Sequence, residues 1–201
     1  MYNSIMGTKL EKIIEYLNQH SALSLQDAEA IGASRHELKL WADKGAIKRI
    51  RRGIYSLNDA TETAEETIVF LPTPCAMAGL SALDHWGYTN YVVDEVWVTV
   101  PLGTTPIKRS GIHCTTQVPD VYKLGLMKLE TPHGTINVFD REKSVLDAIR
   151  GNYLDDEEKF RVLKRWRRDP NRNRKNLGAY ASKIKVRKDF MDWFAFLEAQ
   201  E

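Results

Sequence analysis

A cluster of basic side chains near the start of the chain has the composition of a nucleic-acid contact surface. Lys48, Arg49, Arg51 and Arg52 fall within five residues, and such a cluster suits the phosphates of a duplex. Arginine also suits a narrow minor groove. A second group of polar residues lies just upstream, at residues 34–39. Together the two groups supply the candidate DNA-contacting residues, which are Ser34, Arg35, His36, Lys39, Lys48, Arg49, Arg51 and Arg52.

A helix-turn-helix between Ser24 and Trp41 would position the upstream group. Ala28 stands at the fifth position of the motif, where a small residue lets two helices approach closely. Gly32 stands at the ninth, where the turn needs a positive φ. Asp27 is the one position that fits the motif poorly. The apolar residues expected to face the core are Ile31, Ala33, Leu38 and Trp41.

Capping signals mark where the second helix of this motif begins. Ser24 and Ser34 each precede an apolar periodic run and can cap a helix. Glu37 follows Ser34 by three residues, which makes a capping box and predicts a helix start at Arg35. Leu38, Trp41 and Ala42 would form the buried stripe, leaving Arg35, His36, Lys39 and Asp43 on the other face.

The opposite face of this helix is the one that would contact DNA. In a helix-turn-helix, the N-terminal residues of the second helix contact base edges. Arg35, His36 and Lys39 are therefore predicted to contact bases or nearby phosphates. The alternative is an ordinary three-helix core with a solvated charged face, which leaves the segment that follows unexplained.

That segment, residues 46–57, is predicted to be a hairpin with its basic residues near the tip. Gly45 is expected to end the preceding helix. Short β-prone segments then flank a turn at residues 51–53. Residues 1–58 carry a net charge of +3, and we interpret them as a winged helix-turn-helix DNA-binding domain. Its first helix would turn inward Leu10, Ile13, Ile14 and Leu17.

Charge is segregated along the chain although the whole carries only +2 over 201 residues. Residues 59–158 have a net charge of −9 and residues 159–201 one of +8. An acidic middle would be repelled by DNA, so only parts of the molecule are expected to touch it. Cys75 and Cys114 lack a C-x-x-C spacing and are expected to be reduced. With neither a signal peptide nor a long apolar run, the sequence predicts a soluble, cytoplasmic protein.

Residues 59–201 are predicted to form a separate α+β domain after a polar boundary at residues 58–63. Its predicted helices are a segment ending near Leu71, Ala76–Trp86, Arg141–Arg150 capped by Asp140, Asp155–Arg168, and one or two from Leu177 onward. Its predicted strands are Val92–Val100, Ile112–Thr116, and a hairpin of Lys128–Glu130 with Thr135–Phe139.

The basic segment 159–188 has two interpretations, which the sequence leaves open. Acidic residues 155–158 open a helix that ends in basic residues 164–168, a pattern that matches the helix dipole. The loop expected at residues 171–176 would then be plain solvated surface. The other interpretation is a patch for DNA phosphate or for a partner protein. Phe190, Trp193, Phe194 and Leu197 are expected to pack in the core or between domains.

The sequence does not favour an enzyme, and it predicts neither a cofactor nor a metal site. Its histidines are scattered, and it has neither a glycine-rich phosphate loop nor a G-x-S-x-G motif. The one catalytic alternative is a metal-dependent nuclease. Its residue types would come from Asp84, Asp94, Glu95, Glu142 and Lys143. Glu142 and Lys143 fit better as the first turn of a capped helix, and Glu95 lacks a lysine two residues on.

The order of these segments resembles the AbiEi-type antitoxins of type IV toxin–antitoxin systems, bacterial regulators of phage-defence loci. The matching pieces are the helix-turn-helix with Leu40-Trp41 and Gly45-Ala46-Ile47, the wing at 49–57, the helix and turn at 79–89, the strand at 96–101, and the helix at 139–147. The resemblance covers about residues 8–150. One departure is Lys143-Ser144, where many members have Arg-Thr.

Membership would imply two tasks. The winged domain would bind inverted repeats in its own promoter as an autorepressor, and the C-terminal domain would counteract a nucleotidyltransferase-like toxin. In this family neutralisation need not involve a stable complex, so direct toxin contact stays open. The alternatives are a winged-helix regulator whose C-terminal domain senses a ligand or partner, and the metal-dependent nuclease.

Overall fold

The protein, described here by a computed structural model, divides into two compact units, Met1–Glu66 and Thr67–Glu201. The structure describes residues 2–20, 22–57, 63–71, 73–91, 94–131, 134–184, 192 and 195. The side chains of residues 2–7 and of Arg51 lie outside this description. The predicted boundary at residues 58–63 falls largely outside it and stays a prediction.

The first unit is a winged helix-turn-helix. Its elements are α1 (Tyr2–Gln19), β1 (Leu23–Ser24), α2 (Leu25–Ile31), α3 (Arg35–Asp43), β2 (Lys48–Arg51) and β3 (Ile54–Ser56). The three strands form an antiparallel sheet in the order β1-β3-β2. A single apolar cluster joins helices and wing, and it includes Ile13, Leu17, Leu38, Trp41, Ile47 and Tyr55.

Local capping chemistry explains where the helices of this unit begin and end. α3 starts at Arg35 behind a capping box of Ser34 and Glu37, as predicted. α2 has its own capping box, in which Ser24 pairs with Asp27. Asp27, which fits the motif poorly on sequence grounds, is therefore explained by its role as a capping residue. Gly32 takes φ +92° in the turn between the two helices.

The second unit combines a five-stranded mixed sheet with helices, which confirms the α+β prediction. Its elements are α4 (Ala64–Val69, at the division between units), β4 (Ala76–Met77), α5 (Gly79–His85), β5 (Val96–Pro101), β6 (Ile112–Gln117), α6 (Pro119–Tyr122), β7 (Leu126–Thr131), β8 (Gly134–Phe139), α7 (Arg141–Arg150), α8 (Asp156–Arg168) and α9 (Arg174–Ala181). The strand order is β6-β5-β4-β8-β7. The β5–β6 and β4–β8 pairs are parallel.

The second unit has two main apolar clusters, one among its helices and one that includes residues of its sheet. One apolar cluster contains Leu83 of α5, Leu146 of α7, Trp166 of α8 and Leu177 of α9. The other contains Ile68, Met77, Val98, Val100 and Val138. α7 packs against α5, α8 and α9, so its residues 142–149 are all buried.

Three predicted boundaries in this unit are wrong. Ala76 and Met77 were expected to begin a helix, but they form β4, fully buried between β5 and β8. The loop expected at residues 171–176 is shorter, because Asn173 caps α9 and the helix begins at Arg174. The strand predicted from Val92 begins at Val96, and residues 92–93 lie outside the description.

Several sequence features fall on residues outside the described ranges. These are the turn residues 132–133, the basic residues 185–188, and Phe190, Trp193, Phe194 and Leu197. Among the residues that the structure does describe, no helix is long and apolar enough to span a bilayer. Cys75 and Cys114 are both free thiols.

Candidate nucleic-acid interface

α3 presents a polar face to solvent because its apolar residues are buried on the opposite side. Leu38 is fully buried and Trp41 is 3% exposed. Arg35, His36 and Lys39 all lie on the solvent side and are exposed. The helix thus has the orientation that the predicted contacts require.

A groove of about 460 Å³ brings this face together with the wing. Its lining residues are Arg35, His36 and Lys39 from α3, Arg49 from β2 and Tyr55 from β3. We call it the basic groove. Arg49 and Tyr55 are directly paired across the two strands. None of the described residues that line the groove is acidic, so its cations favour an anionic partner.

Two further cations of the wing are exposed but do not line the basic groove, one at the start of β2 and one in the turn. Lys48 and Arg52 are exposed, and Arg52 lies in the turn between β2 and β3. The register between the strands shifts between Arg49 and Arg51, and such a bulge bends a strand and re-aims its side chains. Arg51 lies at the end of β2, but its side chain is outside the described structure.

Gly53 fixes the position of the wing turn against α2. It has φ +81°, a conformation that an L side chain rarely adopts. A Cβ atom at this position would lie 3.2 Å from Leu25 Cδ1. The turn therefore lies close to the start of α2.

Ser34 has a structural role that occupies its side chain. Its hydroxyl accepts a hydrogen bond from the Glu37 backbone N–H at 3.3 Å and donates one to Glu37 Oε2 at 2.8 Å. The Ser34 backbone N–H donates to the same carboxylate oxygen at 2.7 Å. The structure thus gives Ser34 a capping function at the edge of the basic groove, and its predicted DNA contact stays a prediction.

An ion pair that the sequence did not predict joins α1 to this capping box. Lys9 Nζ lies 3.1 Å from Glu37 Oε1. Hydrogen bonds from the Ser34 backbone and hydroxyl, assisted by Lys9, lower the pKa of Glu37 to about 2. Glu37 therefore stays ionised and ties the start of α3 to α1. No local pattern signals a pair separated by 28 residues.

Two of the residues considered for a nuclease, Glu142 and Lys143, have partners within the second unit. Glu142 Oε1 accepts from Trp166 Nε1 at 2.9 Å and from the Asn173 N–H at 2.7 Å. Lys143 is ion-paired with Asp147. Across the described part of the chain, no three His, Cys, Asp or Glu residues come together as a metal-binding group.

Some charged side chains of the basic segment 159–188 interact with other residues of the second unit. The first turn of α8 is acidic and its last turn basic, in keeping with the helix dipole. Arg161 pairs with Glu157 and Glu158 on the same helix. Lys164, Arg168, Lys175 and Lys183 are exposed. These four exposed cations therefore lie on the outer surface of α8, α9 and the residues that follow α9, whereas Lys159 is buried.

Comparison with known proteins supports the interpretation of the first unit. A family model described as "Transcriptional regulator, AbiEi antitoxin" matches residues 11–58. The match includes α2, α3 and the wing, and it confirms the resemblance over those residues. The segments beyond residue 58 that also resemble the family lie outside the match. The comparison with curated proteins finds no match for this chain.

Proposed function

We propose that this protein is the antitoxin of a type IV, AbiE-like toxin–antitoxin system and represses its own promoter. In this account α3 enters the major groove of the promoter and the wing contacts the adjacent backbone. The second unit counteracts a nucleotidyltransferase-like toxin, and the protein has no catalytic activity of its own.

The basic groove is the observation that carries the proposal. Arg35, Lys39 and Arg49 come from two elements of the chain but line one surface. This surface lies within residues 11–58, the range matched by the antitoxin and regulator family. Cations on a recognition helix and a wing can contact bases and phosphates at the same time.

A promoter with inverted repeats would hold two copies of this unit. Each half-site would accept one α3 helix, and the spacing between half-sites would follow the helical repeat of DNA. Two monomers or one dimer satisfy this arrangement equally well.

A reporter fused to the protein's own promoter tests the regulatory half of the proposal. The wild-type protein is expected to repress the reporter. A protein carrying Arg35→Gln, Lys39→Gln and Arg49→Gln is expected to lose repression. Lys12→Gln is the matched control, because Lys12 is an exposed cation of α1 that does not line the basic groove. Equal repression by the triple variant and the wild type would overturn the proposal.

Growth during co-expression with a neighbouring nucleotidyltransferase gene tests the antitoxin half. The wild-type protein is expected to restore growth that the toxin arrests. The triple variant should also restore growth when both genes are expressed from foreign promoters, because the second unit is unchanged. Failure of the wild-type protein to restore growth would remove the antitoxin function while leaving repression untouched.

A further inference from the structure

A cavity of about 340 Å³ in the second unit is not used by the proposed function. It lies between one face of β5 and β6, the end of α7, and the residues that follow α7. Its volume is within the range of small-molecule pockets, about 300–1,000 Å³. Every residue that lines it belongs to the second unit.

Aromatic rings form one wall of this cavity. Trp97 stacks on His113 with ring centroids 3.7 Å apart and an interplanar angle of 19°. Tyr153 lies against Trp97 at 4.8 Å and 53°. Gly79 leaves room for the indole to approach closely, since a Cβ there would lie 2.5 Å from Trp97 Cε3. A fixed aromatic wall is a stacking surface for a planar ring.

A buried ion pair lies behind the cavity. The side chain of Lys143 is fully buried and pairs with Asp147 of the same helix. Gln117 joins both partners. Its Oε1 accepts from Lys143 Nζ at 2.9 Å, and its Nε2 donates to Asp147 Oδ2 at 2.9 Å. Asp147 Oδ2 thus accepts hydrogen bonds from two donors, Lys143 Nζ and Gln117 Nε2.

The second oxygen of the same carboxylate has no donor among the described residues. Asp147 lines the cavity and is only 8% exposed. Its Oδ1 is buried and has no hydrogen-bond partner among the residues that the structure describes. A buried acceptor without a donor is costly and is rare in folded proteins. A ligand that reaches this oxygen would complete it with an N–H or O–H group, and because the oxygen has no exposed surface in this structure, the side chains around it must move to admit the ligand.

Two further polar side chains that line the cavity, Tyr153 and Arg150, indicate which ligand groups it would bind. The Tyr153 hydroxyl is also buried without a hydrogen-bond partner among the described residues. Burial raises the pKa of Tyr153, so the phenol stays neutral and can donate or accept. Arg150, the exposed last residue of α7, lines the same cavity. Its guanidinium matches a phosphate geometrically and electrostatically.

We propose that this cavity binds a nucleotide. The nucleobase extends the stack of Trp97 on His113, and an N–H group of the base donates to Asp147 Oδ1. The phosphate pairs with Arg150. A nucleotide combines the three groups that this cavity would recognise. Its base is a planar ring for the aromatic rings, its N–H group is a donor for Asp147 Oδ1, and its phosphate is an anion for Arg150. A free mononucleotide and the end of an RNA strand share this chemistry.

Calorimetry on the full-length protein tests the site and distinguishes a free mononucleotide from the end of an RNA strand as its ligand. The probes are AMP, GMP, CMP and UMP, the four corresponding nucleosides, and a short single-stranded RNA. We expect at least one mononucleotide to bind more tightly than its nucleoside. Binding of the RNA but of no mononucleotide supports the site with a strand end as its occupant if Arg150→Gln weakens it, and overturns the proposal if Arg150→Gln does not, because the basic groove of the first unit also attracts an anionic strand. Absence of binding by every probe at millimolar concentration overturns the proposal.

Arg150→Gln is the variant that locates the site. It should weaken binding of the phosphorylated probe about tenfold or more, as expected when a charge-assisted hydrogen bond is removed. Nucleoside binding should not change. Arg168→Gln is the matched control, because Arg168 is an exposed arginine of α8 that does not line the cavity. Equal weakening in the two variants, or none in either, would overturn the assignment.

Asp147→Asn tests how the base is recognised. Lys143 and Gln117 would keep the amide oxygen where Oδ2 now lies, so the NH₂ group would replace Oδ1. The acceptor would become a donor, and the favoured base should change or its affinity should fall. An unchanged order of base preference together with unchanged affinity would exclude Asp147 from recognition. If circular dichroism shows this variant unfolded, the comparison of Arg150→Gln with Arg168→Gln decides alone. Promoter binding by the first unit is unaffected by either result.

Discussion

Replacing Ser34 by alanine removes the hydroxyl that accepts from the Glu37 N–H at 3.3 Å and donates to Glu37 Oε2 at 2.8 Å. Removal of such an N-cap side chain costs about 1 kcal/mol. Ser34 is exposed, so the change leaves no cavity in the core. We therefore expect Ser34→Ala to lower the free energy of unfolding of the first unit by about 1 kcal/mol.

Ser34→Gly separates capping from a direct DNA contact. Glycine at an N-cap costs only a few tenths of a kcal/mol relative to serine, although it lacks the hydroxyl just as alanine does. Urea unfolding followed by circular dichroism measures stability, and fluorescence anisotropy measures affinity for the promoter. The capping role predicts that alanine is the more destabilising change. Equal stability of the two variants would refute it, and equally weakened DNA affinity would indicate that the hydroxyl contacts DNA.

Acid titration provides an independent check of the same capping box. The pKa of Glu37 is lowered from its ordinary value of 4.5 to about 2, first by the Ser34 backbone hydrogen bond. A carboxyl group whose pKa is lower in the folded state stabilises the fold above its unfolded pKa. The advantage of wild type over Glu37→Gln should therefore be constant above about pH 4.5 and disappear as the pH falls toward 2. A stability difference that stays constant across this interval would contradict the role of the ionised carboxylate.

Three further results are expected. Gly53→Ala should lower the free energy of unfolding by about 1–3 kcal/mol, because φ is +81° and Leu25 Cδ1 would lie 3.2 Å from the new Cβ; stability equal to wild type in urea would contradict this. Asp147→Ala should cost about 3–5 kcal/mol by leaving buried Lys143 without its counter-charge. The double change Asp147→Leu with Lys143→Met should cost much less, and equal destabilisation of both proteins would refute that reason. DNA or RNA incubated with Mg²⁺ or Mn²⁺ should remain intact; cleavage that Asp94→Ala abolishes would establish the nuclease instead.

The first unit was predictable because its signals are local. The capping box of Ser34 and Glu37 spans three residues, and the turn at Gly32 requires a positive φ that glycine adopts freely. The wing likewise follows from two short β-prone segments around Gly53. Asp27 fits the helix-turn-helix motif poorly because the motif describes packing, whereas its actual role is to cap α2.

The second unit was less predictable because its defining contacts are distant in sequence. β4 has only two residues and is buried on both sides, so it shows neither alternation nor helical periodicity. Lys143 resembles an ordinary first-turn residue of a helix. Its burial depends on Gln117, which lies 26 residues earlier on another element. Tertiary packing, rather than local preference, decides both cases.

The salt dependence of promoter binding tests the central claim most directly. For wild type, the logarithm of the binding constant should fall linearly with the logarithm of salt concentration. The variant with Arg35→Gln, Lys39→Gln and Arg49→Gln should bind more weakly, and its slope should be shallower by about 0.9 for each phosphate that the protein no longer neutralises. Lys12→Gln should match wild type. Wild-type affinity and slope in the triple variant would contradict the account.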